Sequence, residues 1–436
     1  MAAILENERR PGLANSSSGL GLGRSGYLPI SVLQTPPAAL AGLCVFLRGS
    51  RLSSDASAFT PVRDANTPFT DGDRERLLAA GVDFVYIRAA DRPRFREQLE
   101  AELPGLVVDP KVSGWTKATV VYETAMDLAD ELVCDPGLAA KGPRIERIGR
   151  AVSVMVLRNP DIFPYLFDVS SHDSYTATHL VNVGMWMVPL AHAAGLEDEG
   201  TLAQVFVAGM LHDIGKTLIP SAIINKSGKL TDQEWATVRT HPQRGADYLQ
   251  TWQAAPPLAV AVALQHHERM DGTGYPAGLK HDQIEHMSRI CAVVDSFDAM
   301  TAFRPYKERT FSVLEALTVL TRESPGKYDR DIVAVWRRLL DGVPPAGSGP
   351  GPATGSAVRD PSSAERRRDL RFRFRCPAVV NVMERERDVW VQKETVQVIT
   401  HNLSRTGLCF LSPAPIRPGS FLRVYLRVQK SDRRIL

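Results

Sequence analysis

The sequence predicts a multidomain chain: a small α+β domain at the N-terminus, an all-α domain in the middle and a β-barrel at the C-terminus. Three observations carry that expectation. At about 150 residues per domain, a chain of 436 residues implies roughly three domains. A long central stretch, 115–340, repeatedly places apolar residues at i, i+3 and i+4, whereas short β-type runs separated by turns follow it. Between the two, residues 341–364 hold five Pro and five Gly in 24 positions, the composition of a linker.

Taken in order, residues 1–26 are polar and rich in Ser and Gly. Their run SSSGLGLGRSG follows no strand and does not complete a GxGxxG spacing, so a flexible tail is expected rather than a phosphate loop. MAAILENERRPG carries Glu6 and Glu8 and no apolar core, which excludes a secretory signal. Residues 27–110 form the α+β domain. Thr70 and Asp73 match a capping box, a helix follows over 74–80 and stops at Gly81, and VDFVYIR at 82–88 reads as a strand. In the central domain, VYETAMDLADEL, IERIGRAVSVMVL, VFVAGMLHDI and LEALTVL show the helical period. The segment 174–196 lacks Asp, Glu, Lys and Arg and is long enough to span a bilayer. His179, Asn182, Pro189 and His192, with no cationic flank, make it a buried helix instead. Past the linker, AVVNVM, ETVQVIT, GLCFL and SFLRVYLRV are the strands of the third domain, 365–436.

With 44% hydrophobic and 23% charged residues, most of the chain is globular. The net charge of +3 averages over unlike parts: residues 365–436 carry 16 Lys and Arg against 7 Asp and Glu, a net +9, leaving −6 for the rest. Five scattered cysteines without a CxxC fit a reducing compartment, and the chain is expected in the cytoplasm.

Nine of the ten histidines lie between His172 and His286. His212 and Asp213 are adjacent behind an apolar run, with Lys216 close behind; His179 lies upstream, and His241, the pair His266 and His267, and Asp295 lie downstream. Imidazoles and carboxylates ligate divalent metals such as Fe, Mn or Zn, and the lack of Cys in the set disfavours a structural zinc cage. Seven candidate ligands exceed the needs of one ion and suit two, with Asp213 as the bridge. An Asp on an apolar helix is costly to desolvate without a compensating charge. His192, His281 and His286 read as ordinary core or surface residues.

These residues resemble the HD-GYP subgroup of the HD phosphohydrolases. The match is carried by His212-Asp213-Ile214-Gly215-Lys216, by His241-Pro242, by His266-His267-Glu268 followed by Asp271-Gly272-Thr273-Gly274-Tyr275-Pro276, and by Asp295 with Arg304-Pro305-Tyr306-Lys307. It covers roughly 115–340 and implies an HD-type helical domain that hydrolyses cyclic di-GMP to linear pGpG or GMP with an Fe or Mn centre. Carried over, the metal ligands are His179, His212, Asp213, His241, His266, His267 and Asp295. Asp213 and Lys216 act in catalysis, and Lys216, Gly274, Tyr275, Pro276, Arg304 and Lys307 contact substrate. Members with a third ion have Glu four residues before the first histidine; Tyr175 stands there, which favours two metals. Glu268 is a candidate for orienting a histidine and equally for a surface acid. The arrangement of 27–110 bears a slight resemblance to the small domain that precedes some phosphodiesterase domains.

At the C-terminus, Arg366, Arg367, Arg368, Arg371, Arg373 and Arg375 cluster ahead of the strands. A generic polyanion patch is one reading. Arg367-xxx-Arg371 followed by Asn402-Leu403-Ser404-Arg405-Thr406-Gly407 is more specific and is similar to the PilZ family, whose RxxxR and (D/N)xSxxG motifs bind cyclic di-GMP. That resemblance implies a second nucleotide site at Arg367, Arg371, Asn402, Ser404 and Gly407. Asn402 replaces the commoner Asp, and the module, about 70 residues long, is shorter than a usual PilZ barrel, so an incomplete barrel is expected. The implied partners are cyclic di-GMP and proteins of second-messenger signalling; a homodimer is compatible, duplex nucleic acid is disfavoured, and no membrane span is expected. The competing functions are a non-catalytic cyclic di-GMP receptor, which degenerate ligands would mark, and a phosphohydrolase acting on another cyclic dinucleotide.

Overall fold

The computed structural model describes residues 26–48, 59–170, 176–224, 226, 228–302 and 311–343, together with the strand backbones of 377–386, 389–404, 407–411 and 421–426. The chain divides into two compact units, 1–353 and 354–436.

The first unit begins with four antiparallel strands, β1 (Tyr27–Ser31), β2 (Val45–Arg48), β3 (Phe59–Arg63) and β4 (Phe84–Arg88), in the order β1-β4-β2-β3. Alternation sends Leu28, Ile30, Val85 and Ile87 to the buried face. On the other face Tyr27 stacks on Phe59 at 4.1 Å, and Phe46 and Tyr86 meet them edge-on. Helix α1 (Asp71–Ala79) starts at the Thr70–Asp73 capping box and is followed by Gly81 at φ +76°, a left-handed conformation that glycine adopts freely. Helix α2 (Arg92–Val108) covers the sheet and meets the helical domain through charge. Arg96 reaches Asp127 (2.6 Å) and Glu131 (2.7 Å), and Glu100, buried, pairs with Arg144 at 2.7 Å. A cavity of about 90 Å³ at this junction is lined by Ser31, Thr35, Arg96 and Thr124 among others, and shares no residue with the histidine cluster.

Twelve helices follow among the described residues. They are α3 (Gly114–Cys134), α4 (Leu138–Arg158), α5 (Phe163–Val169), α6 (Thr176–Ala193), α7 (Glu199–Leu211), α8 (Ser221–Ile224), α9 (Asp232–Val238), α10 (His241–Gln250), α11 (Pro257–Gln265), α12 (His286–Thr301), α13 (Val313–Glu323) and α14 (Arg330–Asp341). Side-chain caps fix several starts: Ser113 for α3, Asp198 for α7, and capping boxes at Thr231–Glu234 and Ser312–Glu315. Helix α6 is buried from Ala177 to Ala191, so its uncharged sequence serves the core; no described helix is long and apolar enough to cross a membrane. Around Trp186 gather Phe167 (5.1 Å), Phe297 (5.9 Å) and Trp336 (6.1 Å). The Trp186 indole donates to Ser170 Oγ at 3.0 Å, which satisfies its one polar atom inside the core. This core clamps α6, α7 and α12 together, and those helices carry much of the site.

In the second unit, β5 (Pro377–Glu386), β6 (Val389–Ser404), β7 (Gly407–Leu411) and β8 (Phe421–Leu426) form an antiparallel sheet in the order β7-β6-β5-β8. Ser404 pairs with Gly407 and Asn402 with Cys409, which places Asn402, Ser404 and Gly407 together at one end of the β6–β7 ladder. Arg367 and Arg371 lie outside the described residues, as do Tyr175, Arg304 and Lys307.

Candidate metal centre

The site is assembled at helix ends. His179 comes from the first turn of α6, and His212 and Asp213 follow the last residue of α7. His241 is the first residue of α10, His266 caps the end of α11 with His267 next to it, and Asp295 lies within α12. Helix α7 stops before the pair: Asp213 takes φ −102°, ψ 10°, and a 3₁₀ turn, Ile214–Leu218, takes over. Gly215 lets that turn lie on the start of α10, since a Cβ there would stand 2.9 Å from the His241 carbonyl carbon and 2.7 Å from the Gly245 nitrogen.

All seven residues proposed from the sequence as ligands meet here. Asp213, 3% exposed, turns its two oxygens to different partners. Oδ1 faces His241 Nε2 (3.2 Å) and His266 Nε2 (3.5 Å), while Oδ2 faces His212 Nε2 (3.4 Å) and His179 Nε2 (3.5 Å). Asp295 Oδ1 lies 3.2 Å from His179 Nε2 and 3.9 Å from His212 Nε2. His267 joins the group of Asp213, His241 and His266. The geometry is thus two sets of donors that share one carboxylate.

Hydrogen bonds on the far ring nitrogens set the tautomers. His212 Nδ1 donates to Gly209 O (2.7 Å), His241 Nδ1 to Val238 O (2.8 Å) and His266 Nδ1 to Ala263 O (3.0 Å). A carbonyl can only accept, so these protons sit on Nδ1 and the Nε2 lone pairs face inward. His241 and His266 then oppose two lone pairs at 3.3 Å. His212 Nε2 and Asp213 Oδ1 are buried without a hydrogen-bond partner, an arrangement that a cation would satisfy and that is otherwise costly. With five imidazoles, two carboxylates and no thiolate, the donor set fits Fe, Mn or Zn.

Both site carboxylates are held ionised. Burial alone would raise Asp213, but Lys216 and the neighbouring imidazoles outweigh it and hold the carboxyl well below its usual range. Asp295 behaves alike: burial raises it, and His179 and His212 more than compensate. His179 is pushed down by burial yet lifted well above its ordinary value by Asp213, Asp295 and Asp298. Burial keeps His241 and His267 low, hence neutral and available for coordination at pH 7. Lys216 Nζ stands on Asp213 Oδ2.

Tyr275 stacks on His267 (4.8 Å, 26°) and its amide donates to His267 O (3.2 Å), which brings the loop of Gly274, Tyr275 and Pro276 against the cluster. Gly274 is required by close approach, since a Cβ would stand 2.6 Å from the Glu268 carbonyl carbon. Glu268 does not orient a histidine, as its position beside His267 had implied. Buried, it accepts from the amides of Ala277 (2.7 Å) and Leu279 (3.0 Å) and braces that loop. His281 and His286 are exposed, and His192, half-buried, bonds to Leu196 O (3.0 Å).

Three residues escaped the sequence reading. Asp298 accepts from His179 Nδ1 (2.7 Å) and from Asn182 Nδ2 (2.7 Å), and Asn182 in turn accepts from Tyr122 Oη (3.1 Å). The available signal was the i, i+3 spacing of Asp295 and Asp298, which puts both carboxylates on one face of α12.

Fold and site together define a helical, metal-dependent phosphohydrolase. A model of the HD domain matches residues 167–332, and a model of the PilZ domain matches 365–435. Cyclic di-GMP phosphodiesterase PA4108 of Pseudomonas aeruginosa is 34% identical over 293 residues, 64% of this chain and 70% of that protein. A cyclic di-GMP phosphodiesterase of Thermotoga maritima is 37% identical over 180 residues, 39% of this chain and 49% of that one. The 3′3′-cGAMP-specific phosphodiesterase 2 of Vibrio cholerae is 38% identical over 190 residues, 43% and 36%. The chain therefore spans half or less of the latter two proteins. In fold it is similar to Bd1817, an HD-GYP-type protein of Bdellovibrio bacteriovorus, with a TM-score of 0.51 at 17% identity, covering 72% of this chain and 99% of that one. The chain belongs to the HD-GYP family of HD-domain phosphodiesterases and carries a PilZ domain at its C-terminus.

Proposed function

We propose that the chain hydrolyses cyclic di-GMP to linear pGpG or GMP with two divalent ions, Fe or Mn, and that its PilZ domain binds the same nucleotide. The observation that carries this reading is the split carriage of Asp213, whose two oxygens address separate histidine sets. His179, His212 and Asp295 would hold one ion, His241, His266 and His267 the other, with Asp213 shared. When bound, such a pair supplies Lewis acidity and lowers the pKa of water for attack at phosphorus. The protein's own residues do the rest. The Nδ1 hydrogen bonds keep the imidazoles aimed, and Lys216 adds positive charge beside the reacting phosphate. The loop of Gly274, Tyr275 and Pro276 presents backbone and ring to the substrate, and Arg304 and Lys307 contact its phosphates.

In the PilZ domain, Arg367 and Arg371 clamp phosphate and guanine, while Asn402, Ser404 and Gly407 at the β6–β7 end close on the other base, within a barrel of which the four strands are part. We assign the chain to the cytoplasm, with working domains at 27–110, 115–340 and 365–436. A second reading, action on 3′3′-cGAMP, is favoured by the relatives of that name in Vibrio cholerae. Incubating the metal-loaded protein with each cyclic dinucleotide and identifying products decides between them; bound metal without any linear product would contradict both and leave a receptor.

A further inference from the structure

Helix α9 spans only seven residues, yet it presents two side chains that neither core nor ion pairing explains. Trp235 is 51% exposed, an unusual place for the largest apolar side chain. Arg239 lies one turn on, its amide donating to Trp235 O at 3.0 Å, so the two share a face of the helix. The Arg239 guanidinium carbon sits 4.6 Å from the centroid of the Tyr275 ring, and no carboxylate among the described residues pairs with it. Tyr275 itself stacks on His267. A chain of contacts therefore runs outward from the histidine cluster, from imidazole to phenol to guanidinium, and Trp235 lies one turn back on the same helix face. Val238, buried, anchors this end of the helix, and His241 follows two residues after Arg239, so the ledge is tied by short chain to the site.

A guanidinium held over a ring face, with no carboxylate among the described residues paired to it, keeps N–H donors for a ligand. A contact to phosphate needs only charge. A fork of fixed orientation instead matches two adjacent acceptors, the O6 and N7 of guanine, and mismatches adenine, which offers a donor at N6. An exposed indole one turn back on the same helix face offers a stacking surface to a base. We infer that Arg239 and Trp235 form a guanine-recognising subsite at the rim of the histidine cluster, with the guanidinium forked onto O6 and N7 and the indole stacked on the base. This rests on the reading of a cyclic dinucleotide substrate and extends it to what selects guanine.

The test compares cyclic di-GMP, 3′3′-cGAMP and cyclic di-AMP on the metal-loaded full chain and its Arg239→Ala, Arg239→Lys, Trp235→Ala and Trp235→Phe variants. Both kcat/KM and equilibrium binding are read, the latter in an Arg367→Ala background that silences the C-terminal module. Arg239→Ala is expected to weaken binding of cyclic di-GMP about 10–100-fold, as for loss of a bidentate guanine contact, to act through KM, and to leave cyclic di-AMP unchanged. Arg239→Lys should fail to restore the preference, and Trp235→Phe should recover most of what Trp235→Ala loses. For Arg239→Ala, an equal loss on all three nucleotides, or none on cyclic di-GMP, would overturn the subsite. An unaltered protein that binds metal and guanine nucleotide but turns over none of the three would overturn the hydrolytic function while the binding ratios still decide the subsite.

Discussion

The two halves of the histidine cluster share Asp213 but are held in different ways. The half of His179, His212 and Asp295 is rich in carboxylate: His179 touches Asp213, Asp295 and Asp298, and its far nitrogen is fixed by a side chain that is itself fixed by Asn182. The half of His241, His266 and His267 is rich in imidazole, is oriented by main-chain carbonyls, and opens through half-buried His267 onto the Tyr275 loop. The first half is built for retention, with negative charge and a side-chain relay around it. In the second, burial holds His241 and His267 low, and the half adjoins the surface where substrate would arrive. If each half takes one ion, as proposed, the first is expected to hold its ion the more firmly.

The largest effect is expected from erasing the shared element. Asp213→Ala should strip both halves at once and abolish hydrolysis, checked by metal content per chain and product formation. Retention of metal or turnover would show that the halves do not depend on the shared carboxylate. Asp298→Asn separates them. The isosteric amide, held by Asn182, can turn an N–H toward His179 and force the wrong tautomer. Metal affinity of the first half should then fall about 10–100-fold, the usual cost of losing an outer hydrogen-bond partner, with the second half unchanged in a metal titration.

Glu268→Ala works on the other side. It removes the acceptor of two loop amides, at about 0.5–1.5 kcal/mol each, and loosens the Tyr275 loop. KM should rise while the first half keeps its affinity, with the stability loss read by denaturant unfolding. Asp73→Asn should move neither half. Burial raises the Asp73 carboxyl, but hydrogen bonds from Arg63 and Thr70 outweigh this and hold it below its usual value. A depressed folded pKa contributes stability above the unfolded value near 3.9, lost as pH falls through the folded one. The N-terminal domain of the Asn variant should therefore lose stability at neutral pH and show a weaker acid transition by circular dichroism, with metal affinity intact.

The clustering of these histidines and acids was legible in the sequence because such residues inside apolar runs are expensive, and their order along the chain is distinctive. Helix α6 was legible as core for the same reason. What escaped depends on tertiary return of the chain. Asp298 reads as a second acid on α12, and only the packing of α12 on α6 gives it His179 rather than solvent. Glu268 sits beside two histidines in sequence, yet its side chain meets amides from nine and eleven residues on, where the loop folds back. Arg239 and Tyr275 are 36 positions apart, and α9 had no periodicity long enough to announce a face. The contact of Lys216 with Asp213 depends on the 3₁₀ turn at Gly215, which tightens the backbone and puts the ammonium on the carboxylate.

The central claim, a dinuclear phosphodiesterase acting on cyclic di-GMP, is tested most directly by elemental analysis of the purified protein coupled to product identification in the same sample. The account predicts about two Fe or Mn per chain, a number that follows from two donor sets sharing one bridge, together with linear pGpG or GMP. A fully metallated protein that leaves cyclic di-GMP intact would contradict it.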